Sequence, residues 1–110
     1  MKKIKVAIAG ATGFVGLELL KILTKHPNVD ILYLYSQSKL KKSINLYSKN
    51  FKFKKKLPNV SIMKNHELKN IDVIFTALPH GEAHLISKKI RNNSVLIDLS
   101  ADFRIDNKSI

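Results

Sequence analysis

The chain of 110 residues contains no cysteine. That excludes disulfides, cysteine-ligated zinc and a thiol nucleophile from these residues, and it fits a reducing compartment. Long hydrophobic runs are missing as well: none approaches the ~18 apolar residues of a membrane span. Met1-Lys2-Lys3 ahead of an apolar stretch imitates a signal peptide, but Lys5 interrupts that stretch, and Glu18 and Lys21 follow too early for a signal region. The absences together predict a soluble cytoplasmic protein. Acids are scarce, with Asp+Glu 8 against Lys+Arg 20 and a net charge of +12. Such a balance raises nucleic-acid or membrane-surface binding. Yet Arg91 and Arg104 are the only arginines, and lysine is a solvated point charge that reads bases poorly. Lys, Ile and Asn are all abundant, as a general compositional bias would make them. A solvated basic surface is therefore favoured, with neither nucleic acid nor membrane as partner.

Glycine is also rare, and three of the four are Gly10, Gly13 and Gly16. They follow the apolar run Val6-Ala7-Ile8-Ala9 and open the apolar-periodic stretch Phe14 to Leu23. Strand, glycine turn and helix form the opening unit of a dinucleotide-binding fold. The spacing here is G-x-x-G-x-x-G rather than G-x-G-x-x-G, but the roles transfer. Gly10 ends the strand at a tight turn, where positive φ is cheap only for glycine. Gly13 lets the backbone approach a pyrophosphate, and a Cβ at Gly16 would push helix and strand apart. Free N–H groups at the helix start would face the phosphates, and Thr12 adds a hydroxyl. The bland alternative is a glycine-rich strand-turn-helix that binds nothing.

The rest of the chain alternates strands and helices. Val6 to Ala9 reads as a buried parallel strand. A helix is expected over Gly13 to Lys25, with Gly16, Leu19, Leu20 and Leu23 on one face and Pro27-Asn28 as its stop. Further strands are expected at Asp30 to Tyr35, Val60 to Met63, Asp72 to Ala77 and Ser94 to Asp98, with a helix over Glu82 to Arg91. Ser36 to Leu57 is rich in lysine and without period. It reads as a loop with at most a short element near Phe51 and Phe53. The pattern predicts the α/β class: a Rossmann-like parallel sheet with flanking helices and right-handed crossovers, here an incomplete dinucleotide-binding domain.

Ligands in such sheets bind at the carboxyl ends of the strands. An acid at the end of the second strand would hold the ribose 2′-hydroxyl of NAD. Asp30 has the spacing but lies at the wrong end, ahead of the strand. Ser36-Gln37-Ser38-Lys39 stands at the right end. Without an acid to repel a 2′-phosphate, and with two hydroxyls and an ammonium to bind one, this segment favours NADP over NAD. Leu78-Pro79-His80-Gly81 and Asp98-Leu99-Ser100-Ala101-Asp102-Phe103-Arg104 follow two further strands at the same edge. Three such loops suit a binding crevice. His80, Glu82 and His84 imitate a metal site, but His80 precedes the helix, no further ligand cluster is evident, and cysteines are absent. No metal is expected.

The segments Gly10-Ala11-Thr12-Gly13-Phe14-Val15-Gly16, Leu78-Pro79-His80-Gly81 and Leu99-Ser100-Ala101-Asp102-Phe103-Arg104 together resemble the N-acetyl-gamma-glutamyl-phosphate reductase family, in order, from Lys3 to Arg104. The glycine segment is shared with many oxidoreductases, and the two later segments are more specific. The resemblance implies an NADPH-dependent step of arginine biosynthesis, in which N-acetyl-glutamyl 5-phosphate becomes the 5-semialdehyde with release of phosphate. A cysteine thiolate forms a thioester, hydride reduces it, and a histidine serves as acid/base. By resemblance, Gly10 to Gly16 hold the pyrophosphate, with Thr12, Phe14 and Val15 among them. Ser36 and Ser38 hold the 2′-phosphate, and His80 and Gly81 line the nicotinamide end. Lys39, Leu78, Pro79 and Ser100 are expected among the cofactor-binding residues as well. Gln37 replaces the arginine frequent in the family. The catalytic cysteine and histidine of the family lie beyond position 110, so residues 1–110 are expected to be the N-terminal part of the NADP-binding domain, without the catalytic domain. The complete enzyme is expected to be a homo-oligomer acting on a small acyl phosphate.

Other readings are a lysine-pathway reductase acting on a carrier-bound aminoadipyl phosphate, a stand-alone dinucleotide-binding module without catalysis, and, least favoured, a basic nucleic-acid binder.

Overall fold

Ile4–Ala9 (β1) alternates its side chains between two apolar layers, and this strand is the middle of the sheet. In the computed structural model, which describes residues 2–37, 42–48, 51–79 and 82–99, β1 is followed by α1 (Phe14–Leu23), β2 (Val29–Tyr35), β3 (Val60–Ser61), β4 (Val73–Thr76), α2 (Glu82–Ser87) and β5 (Val95–Asp98). The described strands form one sheet in the order β3-β2-β1-β4-β5, and every pairing between them is parallel. The order reverses between β1 and β4, which is where an open parallel sheet leaves a crevice at its carboxyl edge.

One face of the sheet packs Val6, Ile8, Ile31, Leu34 and Val60 against Leu20 and Leu23 of α1. The other packs Ala7, Ala9, Tyr35 and Ile74 against Ile86 of α2 and against Leu68 and Ile71. Size is matched across neighbouring strands on that second face. A register shift between Val6 and Ala7 sets Ala7 beside Tyr33 and Ala9 beside Tyr35. The two tyrosine rings stack at 5.7 Å and 9° next to the small alanines. Tyr35 is buried, and its hydroxyl donates to Glu67 Oε1 at 2.9 Å. Burial and this carboxylate raise its pKa far above the ordinary phenol range.

Several elements differ in extent from the sequence expectation. α1 stops at Leu23 because the chain tightens, with Lys25 N–H donating to Ile22 and His26 N–H to Leu23. α2 ends at Ser87, not Arg91. There the Ser87 hydroxyl donates to the His84 carbonyl at 2.7 Å and Lys89 N–H turns back to Ile86, the local bonding by which serine competes with a helix. β3 holds only Val60 and Ser61. A 3-10 turn at Asn65–Asn70, not anticipated, buries Leu68.

The lysine-rich stretch is more ordered than its composition suggests. A 3-10 turn spans Ile44–Leu46, and Asn45 clamps Phe53 by accepting its N–H at 2.8 Å and donating to its carbonyl at 3.4 Å. Phe51 and Phe53 meet edge to face at 4.9 Å, and Lys21 Nζ lies 5.1 Å from the Phe51 ring centroid. Ile44 and Phe53 join the α1 core. Beyond β1 that same face thins out: Val73 and Phe75 are half-buried, and Val95 and Ile97 of β5 are exposed.

The amino edge is tied by Asp72. It accepts the Lys5 N–H at 2.9 Å and the Arg91 Nη2 at 2.7 Å, while Arg91 also donates to the Ile71 carbonyl. The Lys5 N–H, followed by the Arg91 guanidinium, holds the Asp72 carboxyl below the usual carboxylate range. A lowered native pKa stabilises the fold above the unfolded-state value of about 3.9, and that contribution is lost as pH falls through the native value. Asp72→Asn, a mimic of the protonated acid, should therefore melt below wild type at pH 7. The two melting curves should converge as the pH drops past about 3.9. Thermal unfolding followed by circular dichroism across pH 2–8 checks this, and a gap independent of pH would refute it.

Candidate functional site

The carboxyl edge gathers the ends of β1, β2, β4 and β5. Gly10 leaves β1 with φ +83, the only positive φ among the described residues. A Cβ there would collide with the Ala77 carbonyl oxygen and sit 2.9 Å from its carbon. Gly16 is equally constrained: a Cβ would strike the Gly10 carbonyl oxygen and lie 2.9 Å from Ala11 Cα. The obstacle is thus the turn backbone rather than the strand expected from the sequence. Gly13 is different. It caps α1 in an extended conformation, φ −80 and ψ 172, and a Cβ would meet only the Gly10 oxygen at 3.7 Å. Nothing in the described chain demands glycine at that position. Gly13 also lines a cavity.

The turn is anchored by the Tyr35 carbonyl, which accepts both Gly10 N–H and Ala11 N–H at 3.0 Å. The first helical bond is Leu17 N–H to the Gly13 carbonyl. The N–H groups of Thr12, Phe14, Val15 and Gly16 therefore find no acceptor among the described residues, and such groups at a helix start attract anions. At the end of β4, Ala77 N–H donates to Ala9 and Leu99 N–H to Thr76. The buried Thr76 hydroxyl donates to Asp98 Oδ1 at 2.9 Å, joining β4 to β5.

Two cavities open on this edge and share Gly10, Ser36, Gln37 and Leu78 as a common wall. One, of about 330 Å³, lies over the glycine turn and includes Thr12, Gly13, Tyr47, Ala77 and Pro79. The other, of about 380 Å³, runs between the ends of β2 and β3 and α2, with Ile62, Met63, Leu85 and Ile86 as apolar walls and Glu82 and Lys89 at their side. A phosphate-accepting turn beside an apolar slot suits a nucleotide with a flat base.

Among the sequence candidates, Gly10, Thr12, Gly13, Ser36, Leu78 and Pro79 come together in one cavity. Gly16 is buried behind the turn, whereas Phe14 and Val15 are exposed at the start of α1 and line neither cavity. Ser38, Lys39, His80, Gly81 and Ser100 lie outside the described residues, as does every residue after Leu99. Asp30 is the second residue of β2, exposed and level with Lys5, at the edge opposite the glycine turn. Among the described residues no group of three or more His, Asp or Glu side chains is placed to hold a metal. No helix among them is long and apolar enough to cross a membrane. Sequence reasoning missed Tyr47, which sits in the stretch read as a loop with at most a short element, and Ile62 and Met63, which the carboxyl-end rule applied to β3 would have found.

Residues 5–110 match the family model for the semialdehyde dehydrogenase NAD-binding domain. The N-acetyl-gamma-glutamyl-phosphate reductase of Clostridium botulinum (strain Eklund 17B / Type B) is 44% identical over 106 residues, which is 96% of this chain and 30% of that protein. The enzyme of the same name from Thermoanaerobacter pseudethanolicus (strain ATCC 33223 / 39E) is 46% identical over 110 residues, covering 97% of this chain and 31% of its own length. The chain thus spans just under a third of these curated relatives. Among solved structures, aspartate semialdehyde dehydrogenase with NADP from Candida albicans shares the fold, with TM-score 0.64 and 24% identity over 94% of this chain and 31% of that one.

The Gly13 geometry separates folding from binding. Gly13→Val should keep the melting temperature near wild type, because φ −80 strains no side chain, and should weaken dinucleotide binding by roughly a hundredfold as the branched side chain fills the approach to the turn. Gly16→Val should instead unfold the protein through its backbone clash. Melting curves and cofactor titrations of the two variants check the contrast. Unchanged affinity in a folded Gly13→Val protein would place the phosphates elsewhere.

Proposed function

Because the chain belongs to the semialdehyde dehydrogenase NAD-binding domain family, we propose that it forms the cofactor-binding part of an NADPH-dependent acyl-phosphate reductase. The reaction is reduction of N-acetyl-glutamyl 5-phosphate to N-acetyl-glutamate 5-semialdehyde in arginine biosynthesis, carried out in the cytoplasm by a homo-oligomer. The observation that carries this reading is the match of almost the whole chain to reductases bearing that name. The whole enzyme's chemistry rests on the remainder of such proteins, since these residues correspond to less than a third of their length.

One structural observation supports the cofactor: Gly13 lines the cavity above the turn, and a Cβ there would meet nothing nearer than the Gly10 oxygen at 3.7 Å. The unpaired N–H groups at the start of α1, with Thr12, hold the pyrophosphate. Ser36, with Ser38 and Lys39, holds the 2′-phosphate. Leu78 and Pro79, with His80, Gly81 and Ser100, border the nicotinamide. When bound, the nicotinamide supplies hydride. The chain's own contribution is to bind and orient it, because there is no cysteine to form the thioester that hydride reduces.

Two outcomes are expected. NADPH should bind more tightly than NADH, since Ser36-Gln37-Ser38-Lys39 offers a 2′-phosphate donors and a cation and no acid. Parallel titrations check this, and equal or tighter NADH binding would sink it. The 110-residue chain alone should not oxidise NADPH with either acyl phosphate. The same residues joined to the portion of the family that supplies the thiolate should turn over N-acetyl-glutamyl phosphate. Turnover by the chain alone would overturn the assignment of catalysis. Preference for an aminoadipyl phosphate would move the substrate to the lysine pathway.

A further inference from the structure

The cavity over the glycine turn has no charged residue in its described lining, although the ligand proposed for it carries a doubly negative pyrophosphate. The described lining offers neutral donors for that charge. Two hydroxyls in the lining, of Thr12 and Tyr47, have no hydrogen-bond partner among the described residues. Thr12 belongs to the glycine turn. Tyr47 comes from a different part of the chain, the lysine-rich stretch after β2, and belongs to no recognised motif.

Its position is built rather than incidental. Ser43 caps the Ile44–Leu46 turn by accepting Asn45 N–H at 3.3 Å, and Tyr47 N–H closes it on the Ile44 carbonyl at 3.0 Å. On the far side, Ser48 donates to the Phe51 carbonyl at 2.6 Å, and Asn45 clamps Phe53. The Tyr47 ring is half-buried against the α1 core. An aromatic residue that is packed on a core and also lines a cavity can present its hydroxyl there as a donor fixed at little entropic cost.

We propose that Tyr47 is a further cofactor-holding residue, its phenol donating a hydrogen bond to the pyrophosphate opposite the glycine turn. The inference rests on the dinucleotide reading above and deepens it: the stretch after β2 takes part in binding, through a contact common to NADPH and NADH.

Tyr47→Phe removes the hydroxyl and keeps the ring, so the melting temperature of the free protein should not change. Affinities of the wild-type and variant proteins would be measured for NADPH, NADH, ADP-ribose and adenosine 2′-monophosphate. The variant should lose about tenfold for the three ligands that contain a pyrophosphate, the scale of one hydrogen bond to a charged acceptor, and nothing for adenosine 2′-monophosphate. Unchanged affinity for NADPH would overturn the proposal, and so would an equal loss for the ligand without a pyrophosphate. Wild-type protein that binds none of the dinucleotides would overturn the cofactor reading together with it, whereas wild-type binding unaffected by the substitution would remove the role of Tyr47 alone.

Discussion

At the centre of the carboxyl edge three stretches of backbone run against one another with no side chain between them. The carbonyl of Gly10 faces the α-carbon of Gly16, and the α-carbon of Gly10 faces the carbonyl of Ala77. This contact fixes how close α1 comes to the turn and how close the turn comes to β4. Everything at the edge depends on those two separations. With the turn seated on β4, Leu78 and Pro79 stand beside Gly10 and Gly13 rather than a side chain's width away. With α1 seated on the turn, its first N–H groups point outward from a fixed base. The Tyr35 carbonyl then accepts the Gly10 and Ala11 N–H groups, leaving the donors farther along as those free for an anion. The packing is thus also a selection of which amides can serve a ligand.

Much of this was legible because the determining features are local. A continuous apolar run followed by glycines can hardly avoid becoming a buried strand and a tight turn, and β1, β2, β4 and β5 fall where the apolar runs lie. Strand direction alone puts Ser36 at the carboxyl edge and Asp30 at the opposite one, and the structure has them there. What stayed hidden depends on contacts between distant residues. The stretch from Lys42 to Leu57 shows no period because its order comes from one asparagine reaching eight positions along the chain to Phe53 and from aromatic rings packing on α1. No pattern within the stretch reports such contacts, so Tyr47 was passed over. The early end of α2 has a local cause, the Ser87 hydroxyl on the His84 carbonyl, and a distant one as well: Arg91, on helical pattern a further helix residue, is drawn instead to Asp72 and the Ile71 carbonyl.

The two faces of the sheet are unequally finished. The α2 face is sealed from β2 to β4 by Tyr35, Leu68, Ile71 and Ile86. The α1 face is sealed over β1, β2 and β3, with Ile44 and Phe53 completing the cover, but Val95 and Ile97 at its β5 side remain exposed. The order β3-β2-β1-β4-β5 puts the best-covered strand, β1, under the glycine turn. Rigidity is therefore greatest where backbone groups must hold a ligand in register, and the thinly covered strand is two positions away from the turn on the sheet.

The chain carries a net charge of +12, and part of the described positive charge lies away from the cavity over the glycine turn. Lys25, Lys52, Lys54 and Lys55 surround a separate cleft of about 230 Å³ at the last turn of α1, and a helix of 10 residues puts about 15 Å between that end and the glycine turn. This exceeds the ~8 Å Debye length at physiological salt, so these lysines contribute little to the bound state at the turn. Their summed field still acts on an approaching polyanion, and it does so more strongly as salt is lowered. Attraction and grip are thereby divided. On the proposed reading, these distant lysines would raise the rate of encounter with a multiply phosphorylated ligand, while the hydroxyls and amides of the turn would act once it is bound. A sequence this basic can then hold a nucleotide without a single described charge in the cavity over its phosphate turn.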